Sequence, residues 1–221
     1  MVHADLRLYA LVDPEHAGGH DLADLAGLIA QGGATLFQLR DKRGTTLQMI
    51  ERARALKSAL APSGVTLLIN DRVDVALAAN ADGVHVGWDD MPVADARHLL
   101  GPDAIIGLSI KTLAQAAKAP LELLDYVCIG GVFATSSKDN PDPPVGIAGF
   151  KTIATSIRAR VPKIPVGAIA GIDQRNAASV VEAGADGIAV ISALSLAPAP
   201  KDAARALRGI VDRALETRGA A

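Results

Sequence analysis

The sequence predicts a single (β/α)₈ barrel of the TIM type, and three observations predict it. The chain has 221 residues, a length that one barrel domain commonly fills. Half of the residues are hydrophobic but only 3% are aromatic, so Ala, Val, Ile and Leu supply the apolar mass, as in buried parallel strands under helices. Short apolar runs alternate with helix-period segments. We therefore expect a closed barrel, with an open doubly wound sheet as the alternative.

The predicted strands follow a recurring turn. The segments 32–35, 80–83 and 183–187 are rich in Gly, Ala, Asp and Asn, and each precedes a short apolar run. Such glycines and Asp-Gly pairs are typical of a helix-to-strand turn that repeats along a chain. We predict eight strands of four to seven residues, which begin near Arg7, Thr35, Thr66, Gly83, Ala104, Asp125, Pro165 and Gly187.

Between the strands, hydrophobic residues recur with the period of a helix. The first helix is predicted over 21–31, with Gly32 at the C′ position just past its end. Pro92 is expected in the first turn of a later helix, and Asp173 is expected as the N-cap of another. The last helix is predicted from about residue 201 to 217.

No linker or change in composition divides the chain, so we predict one domain over residues 1–221. The longest interval between predicted strands contains a proline-rich stretch, 139–144. We predict a loop over an active site there, with a plain surface loop as the alternative.

Charge and composition exclude several classes of protein. Lys and Arg number 22 and Asp and Glu 24, a net charge of −2 without a basic run, which disfavours nucleic-acid binding. The longest uncharged stretch, 25–39, is too short and too polar to cross a membrane. The N-terminus lacks the layout of a signal peptide, and Cys128 is the lone cysteine. We expect a cytoplasmic protein that binds small molecules, and the sequence leaves a homo-oligomer open.

In a (β/α)₈ barrel the chemistry lies at the carboxyl ends of the strands. After the second predicted strand, Gln38, Arg40 and Lys42 alternate along an extended segment and therefore face the same side. Two cations beside an amide form a clamp suited to an anion. The alternative is a solvated loop in which Asp41 pairs with the cations.

Two carboxylates follow the third and fourth predicted strands. Asp71 and Asp90 lie on successive loops with few other acids nearby, which suits a Mg²⁺ ion that also binds phosphate oxygens. As alternatives, Asp71 pairs with Arg72, and Asp90 caps the helix that opens at Met91.

The segment 130–138 offers two glycines, three hydroxyls and Lys138, a set able to hold a phosphate, although it is not a Walker motif. A second phosphate site is predicted at Gly171 with Ile191 and Ser192, because late-strand loops commonly bind phosphate in barrels. Its alternative is tight packing of small residues between strand and helix.

None of the five histidines lies in the HExxH motif typical of zinc enzymes, so we expect no zinc site. His85 lies in the middle of a predicted strand, where a packed, hydrogen-bonded residue is favoured over a catalytic base. Cys128 is interpreted as a small buried hydrophobic residue.

These motifs, in this order, resemble the thiamine-phosphate synthase family, also called thiamine-phosphate pyrophosphorylase. Each motif is modest alone, but the ordered set is specific. The resemblance spans residues 8–192 and is carried by Gln-Leu-Arg-Asp-Lys at 38–42, Asn-Asp-Arg at 70–72, 81–87 with Asp90, Gly-Leu-Ser at 107–109, 130–138 and 184–192.

The resemblance implies a Mg²⁺-dependent (β/α)₈ transferase. It would join hydroxymethylpyrimidine diphosphate to hydroxyethylthiazole phosphate and release pyrophosphate, which departs before the new bond forms. Asp71 and Asp90 would hold Mg²⁺. The pyrimidine diphosphate would bind Gln38, Arg40, Lys42, Asn70, Ser109 and Lys138. The thiazole phosphate would bind Thr135, Ser137, Gly171, Ile191 and Ser192. Of these, the expected catalytic residues are Arg40, Lys42, Ser109 and Lys138.

The chain departs from the family pattern in three places. Trp88 replaces a Gln, Ala134 a Pro, and the pair at 170–171 reads Ala-Gly rather than Gly-Gly. We expect Trp88 at the barrel rim rather than in the pyrimidine pocket. Two alternative functions stay open. One is an isomerase like thiazole tautomerase, which relies on a His near the end of the fifth strand, where this chain has Leu-Ser-Ile at 108–110 and no His. The other is a non-catalytic barrel that binds thiazole phosphate.

Overall fold

A computed structural model describes residues 4–135 and 143–220, and its eight strands form one closed parallel barrel. Each strand pairs with the next along the chain, and β8 pairs with β1. The predicted barrel is confirmed, and every strand begins within one residue of its predicted start. The strands are β1 (Leu8–Val12), β2 (Leu36–Leu39), β3 (Thr66–Asn70), β4 (Gly83–Val86), β5 (Ile105–Ile110), β6 (Tyr126–Ile129), β7 (Val166–Ile169) and β8 (Gly187–Val190).

Helices connect the strands and surround the barrel. None of the helices in the described ranges is long and apolar enough to cross a membrane. Short 3₁₀ turns lie at Pro14–His16, Ala61–Ser63 and Leu121–Leu123. The α-helices are α1 (Leu22–Gln31), α2 (Thr46–Leu60), α3 (Val73–Ala79), α4 (Val93–Leu100), α5 (Leu113–Lys118), α6 (Gly146–Arg160), α7 (Ala177–Glu182), α8 (Ser192–Ser195) and α9 (Pro200–Ala220).

The end of α1 differs from its prediction. Gly32 is the C-cap with φ −79°, and the left-handed residue is Gly33 with φ 105°. Gly32 is needed for a different reason: a Cβ there would lie 2.3 Å from the carbonyl oxygen of Lys201 and 2.6 Å from Cβ of Ala204. The close approach of α9, which sequence periodicity does not show, selects this glycine.

Three other helix boundaries also differ. Pro92 is the N-cap of α4 rather than a first-turn residue. The N-cap of α7 is Asn176, because Asp173 opens the preceding turn, where its carboxylate accepts from the amide of Arg175 at 2.8 Å. The last helix, α9, is longer at both ends than predicted.

Alternation along the strands divides the core into two layers. One set of side chains packs between barrel and helices, and the other fills the interior. The interior cluster contains both tyrosines of the chain, Tyr9 and Tyr126, each almost fully buried. Above them, toward the carboxyl ends of the strands, the inward positions become polar with Gln38, His85 and Ser109.

Gly107 makes room for one of these rings. It is the register partner of Tyr126 between β5 and β6, and a Cβ at residue 107 would lie 2.1 Å from Cζ of that ring. Because residue 107 has no side chain, the ring of Tyr126 fits against β5, and this determines where its hydroxyl lies.

We expect Gly107→Ala to lower the free energy of unfolding by about 1–3 kcal/mol, because the added methyl group must displace a buried ring. Gly27→Ala in the middle of α1 is the control. It meets no atom within 4 Å and should raise stability by up to about 1 kcal/mol through helix propensity. Urea unfolding of both variants tests this, and a Gly107→Ala protein as stable as the native chain would contradict the packing argument.

Candidate functional site

A cavity of about 410 Å³ opens at the carboxyl ends of the strands. Among its lining residues are eight of the predicted site residues: Gln38, Arg40, Asn70, Ser109, Thr135, Gly171, Ile191 and Ser192. Ser137 and Lys138 lie outside the described residues, as does most of the predicted 139–144 loop. Lys42, Asp71 and Asp90 do not line the cavity itself but form a cluster beside it.

Arg40 owes its position to a residue that sequence reasoning missed. Its guanidinium donates a hydrogen bond to Asp13, which follows β1 and is fully buried. The other oxygen of Asp13 accepts from the amide of Glu15 at 2.8 Å, so the carboxylate is fixed. The signal available in the sequence was the place of Asp13 at the carboxyl end of a strand. A buried carboxylate aims this cation at the cavity and restricts its motion.

Asp41 does not pair with Arg40 or Lys42. Its carboxylate accepts hydrogen bonds from Arg52 and from the amide of Gly44. Although burial opposes ionisation, these bonds hold the pKa of Asp41 below its usual value. The alternative of a solvated loop with Asp41 as partner is therefore wrong, and Arg40 and Lys42 stay on the other side of the segment.

Asp71 and Asp90 come together beside the cavity. Asp71 follows β3 with φ 63°, and its amide donates to the carbonyl of His85 at 2.8 Å. Burial and the neighbouring Asp90 carboxyl raise the pKa of Asp71, and its ion pair with Lys42 opposes the shift. The Asp90 carboxyl thus opposes ionisation of Asp71. A cation bound between the two carboxyl groups would stabilise both in their ionised form.

Both alternatives for these carboxylates are wrong. Arg72 binds Asp74, with a shortest distance of 2.6 Å, instead of Asp71. Asp90 accepts from the amide of Gly87 at 2.7 Å and does not cap α4.

The donors at this cluster suit Mg²⁺, which prefers carboxylate oxygens. Within the described ranges no group of three or more His, Cys, Asp or Glu side chains is placed to hold a metal. An ion at Asp71 and Asp90 would therefore take its remaining ligands from water or from phosphate oxygens.

Asn70 offers an unused donor to the cavity. Its Nδ2 is buried and finds no acceptor among residues 4–135 and 143–220. Because a buried amide without a partner costs about 1–3 kcal/mol, an acceptor supplied by a ligand would be favoured at this point.

A hydrogen-bonded chain lies at the floor of the cavity. It runs from Gln38 through Tyr9, Tyr126 and His85 to Ser109. His85 is 7% exposed and both ring nitrogens are bonded, so the packed histidine that we predicted is confirmed. The two tyrosines were missed, because in sequence they are ordinary inward residues of apolar strands.

Cys128 is buried beside this chain. Burial raises the pKa of its thiol to about 12, so it is an inert small residue, as predicted.

The opposite side of the cavity is formed by strained backbone. Ala170 has φ 93° and Gly171 φ 64°. A Cβ at Gly171 would lie 2.3 Å from the carbonyl oxygen of Ala134, so this position requires glycine. Lys111 and Arg175 also line the cavity, and Arg175 forms an ion pair there with Asp173.

Trp88 lies at the rim, as expected. The residue is 40% exposed and is not among the described residues that line the cavity. Its Nε1 donates to the carbonyl oxygen of Ser109 at 2.9 Å. This hydrogen bond therefore stabilises the end of β5 from outside the cavity.

Comparison with known proteins gives consistent matches over the whole chain. A family model described as thiamine monophosphate synthase matches residues 8–194. The thiamine-phosphate synthase of Agrobacterium fabrum is 52% identical over 218 residues, 99% of each chain. That of Albidiferax ferrireducens is 45% identical over 207 residues, 94% of this chain and 92% of the relative. The solved thiamine phosphate pyrophosphorylase from Pyrococcus furiosus superposes with a TM-score of 0.84 at 36% identity, over 96% and 98% of the two chains.

We expect Asp71→Asn to raise the melting temperature in metal-free buffer at neutral pH. A carboxyl whose pKa is raised on folding destabilises the folded state once it ionises, so the gain should vanish as pH falls through the folded pKa. Asp74→Asn is the control with the opposite sign, because Arg72 lowers the pKa of that carboxyl. Thermal unfolding against pH measures both. A lower melting temperature for Asp71→Asn would show that its ion pair with Lys42 outweighs its burial and Asp90.

We expect Trp88→Phe to lower stability by about 1 kcal/mol through loss of one hydrogen bond, with KM for both substrates unchanged. Melting temperature and steady-state kinetics of the one variant test this. A changed KM with an unchanged melting temperature would place the indole in the binding pocket instead.

Proposed function

This chain belongs to the thiamine monophosphate synthase family, and from that premise we propose how its cavity carries out the reaction. The chain is a transferase that condenses a pyrimidine and a thiazole moiety to thiamine phosphate. We propose that the substrates are hydroxymethylpyrimidine diphosphate and hydroxyethylthiazole phosphate, with pyrophosphate as the second product. Curated relatives named as synthases favour this activity over the isomerase and the non-catalytic alternatives.

One observation carries the proposal: a single cavity has groups suited to an anion on two sides. On the side of β2 and β3 lie Arg40, Asn70 and the Lys42–Asp71–Asp90 cluster. On the side of β7 and β8 lie the glycine turn at 171 and the start of α8. Two phosphorylated substrates bound from these sides would meet above the polar floor.

The diphosphate would bind at the first side. Arg40 is held by Asp13 and offers its remaining donors to phosphate oxygens. Gln38, Asn70 and Ser109 would bind the same substrate. For Asn70 the support is its buried Nδ2, which needs an acceptor. Lys42 would turn toward the diphosphate, and we propose the same role for Lys138.

Asp71 and Asp90 would hold Mg²⁺. The raised pKa of Asp71 beside Asp90 supports this, because a divalent cation removes the repulsion that raises it. When bound, Mg²⁺ would neutralise charge on the diphosphate as it leaves.

The thiazole phosphate would bind at the second side. Gly171 lets the backbone approach closely, and the start of α8, at Ser192, lines the cavity directly after β8. We propose that Ile191 and Ser192 bind the phosphate there, together with Thr135 and Ser137 from the loop after β6.

The reaction then needs positioning more than proton transfer. Pyrophosphate leaves with the electron pair of its C–O bond, and the aminopyrimidine ring delocalises the positive charge left on the methylene carbon. The thiazole nitrogen donates its lone pair to that carbon, and no proton is lost, so no general base is required. Arg40, Lys42 and Lys138 would stabilise the departing charge while the cavity holds nitrogen and carbon in line.

We propose that the chain acts in the cytoplasm on small molecules. The lone buried Cys128 and the small phosphorylated substrates support this location.

A pyrophosphate-release assay tests the proposal. Release should require both precursors and Mg²⁺, stop in excess chelator and return when Mg²⁺ is restored. Asp90→Asn should lower kcat about 100-fold if it holds the ion that offsets the leaving charge. Asp74→Asn removes the same charge outside the cavity and should retain full activity. Undiminished turnover in chelator would contradict the metal assignment, and release without the thiazole phosphate would contradict condensation.

A further inference from the structure

A continuous chain of hydrogen bonds crosses the interior of the barrel. The Oη atoms of Tyr9 and Tyr126 are 2.9 Å apart, and Tyr126 Oη lies 2.8 Å from Nδ1 of His85. Nε2 of His85 lies 2.9 Å from Oγ of Ser109. At the other end, Nε2 of Gln38 donates to Tyr9 Oη. Four of these side chains are buried, and both ends of the chain face the cavity.

The amide of Gln38 determines the direction of every proton in this chain. Since Gln38 donates to Tyr9, the Tyr9 hydroxyl is free to donate its own proton to Tyr126, and the Tyr126 proton would then go to Nδ1 of His85. A neutral imidazole that accepts at Nδ1 carries its proton on Nε2. That N–H donates to Oγ of Ser109, whose own proton is left for a molecule in the cavity.

The reverse order would change both ends together. If Nδ1 of His85 carried the proton, Tyr126 would donate to Tyr9, and Tyr9 would need the carbonyl oxygen of Gln38. The amide of Gln38 would then turn over and present a donor to the cavity. Whether Gln38 and Ser109 each present a donor or an acceptor to the cavity is therefore linked across the barrel, although the two residues are not bonded to each other.

Burial keeps the two tyrosines in their protonated form. It raises the pKa of both hydroxyl groups, so each holds one proton and can donate in only one direction at a time. The ring of His85 stacks on Tyr126, with centroids 5.5 Å apart and planes inclined by 27°. This packing holds the imidazole nitrogens in line with their partners.

We propose that Tyr9, Tyr126 and His85 are positioning residues that fix Ser109 as a hydrogen-bond donor and Gln38 as an acceptor toward the pyrimidine substrate. The proposal rests on the assignment of Ser109 and Gln38 to that substrate. It predicts a ligand with an acceptor atom at Ser109 and an N–H group at Gln38, and it gives the two tyrosines a role beyond filling the barrel.

The tautomer of His85 is the direct test. Long-range ¹H–¹⁵N spectra of the full chain labelled with ¹⁵N-histidine distinguish the two neutral forms, and the signals missing in His85→Gln identify residue 85. We expect the Nε2–H tautomer in the native chain. An Nδ1–H tautomer would overturn the proposal, whatever the variants below show.

Tyr126→Phe tests the role in binding. It removes the central hydroxyl and keeps the ring. We expect KM for the pyrimidine diphosphate to rise about tenfold, as for loss of one oriented hydrogen bond, with KM for the thiazole phosphate unchanged. The His85 spectrum should become a mixture of tautomers. Phe150→Leu, a buried change on α6 outside the barrel, should lower the melting temperature without changing either KM. Equal effects on both KM values would show a merely structural role and overturn the proposal.

A pair of variants at residue 85 decides the matter if Tyr126→Phe fails to fold. Glutamine keeps an N–H donor near the position of Nε2, and leucine keeps only volume. We expect His85→Gln to keep KM for the pyrimidine diphosphate within about threefold and His85→Leu to raise it about tenfold. Equal KM values in the two variants would overturn the proposal.

Ser109→Ala separates this inference from the site assignment. If it leaves KM for the pyrimidine diphosphate unchanged, Ser109 does not bind that substrate and both the assignment and the inference fail. If it raises KM while Tyr126→Phe does not, the assignment stands and the positioning role alone is overturned.

Discussion

Closure of the parallel barrel, in which β8 pairs with β1, is the constraint on which the rest of the structure depends. A closed parallel sheet brings the carboxyl ends of all eight strands to one rim, and the strand period sends alternate side chains inward. Polar residues far apart in the chain, such as Gln38 and Ser109, thereby line one cavity. The same closure makes the interior too small for two tyrosines unless a neighbour is small, and Gly107 is that neighbour.

Arg40 and Lys42, at the rim of the barrel, each form an ion pair with an aspartate, and the two pairs differ in burial and in charge balance. Arg40 contacts a fully buried partner, Asp13, so its position is fixed before a ligand arrives. Lys42 is more exposed and contacts Asp71, whose pKa stays raised in spite of that cation. The first pair is thus preorganised, as the proposed role of Arg40 in binding the diphosphate requires. The second pair lies beside Asp90, so two carboxyl groups face one cation, and this excess of negative charge favours binding of a divalent ion.

The sequence alone was sufficient for the strands and for much of the cavity. Runs of Val, Ile and Leu between glycine-rich turns located all eight strands, and polar residues at their ends located Gln38, Arg40 and Asn70. Features that depend on tertiary approach could not be predicted. Gly32 is required by α9, and the tyrosines acquire polar roles only because distant strands converge. Asp13 lies between these cases, since the sequence shows that it follows a strand but not that it is buried against Arg40.

Backbone strain in the described residues is concentrated at the site. Of the three non-glycine residues with positive φ, Asn80 caps α3, while Asp71 and Ala170 both border the cavity. Such conformations cost about 1–3 kcal/mol each and persist only where surrounding contacts enforce them. The carbonyl of His85 holds the amide of Asp71 at 2.8 Å, and the amide of Phe133 donates to the carbonyl of Ala170 at 3.1 Å. At Asp71 the strain turns a carboxylate toward Asp90, and at Ala170 it turns the chain so that Gly171 can approach a ligand. The fold therefore accepts strain at the two places where we propose that Mg²⁺ and the thiazole phosphate bind.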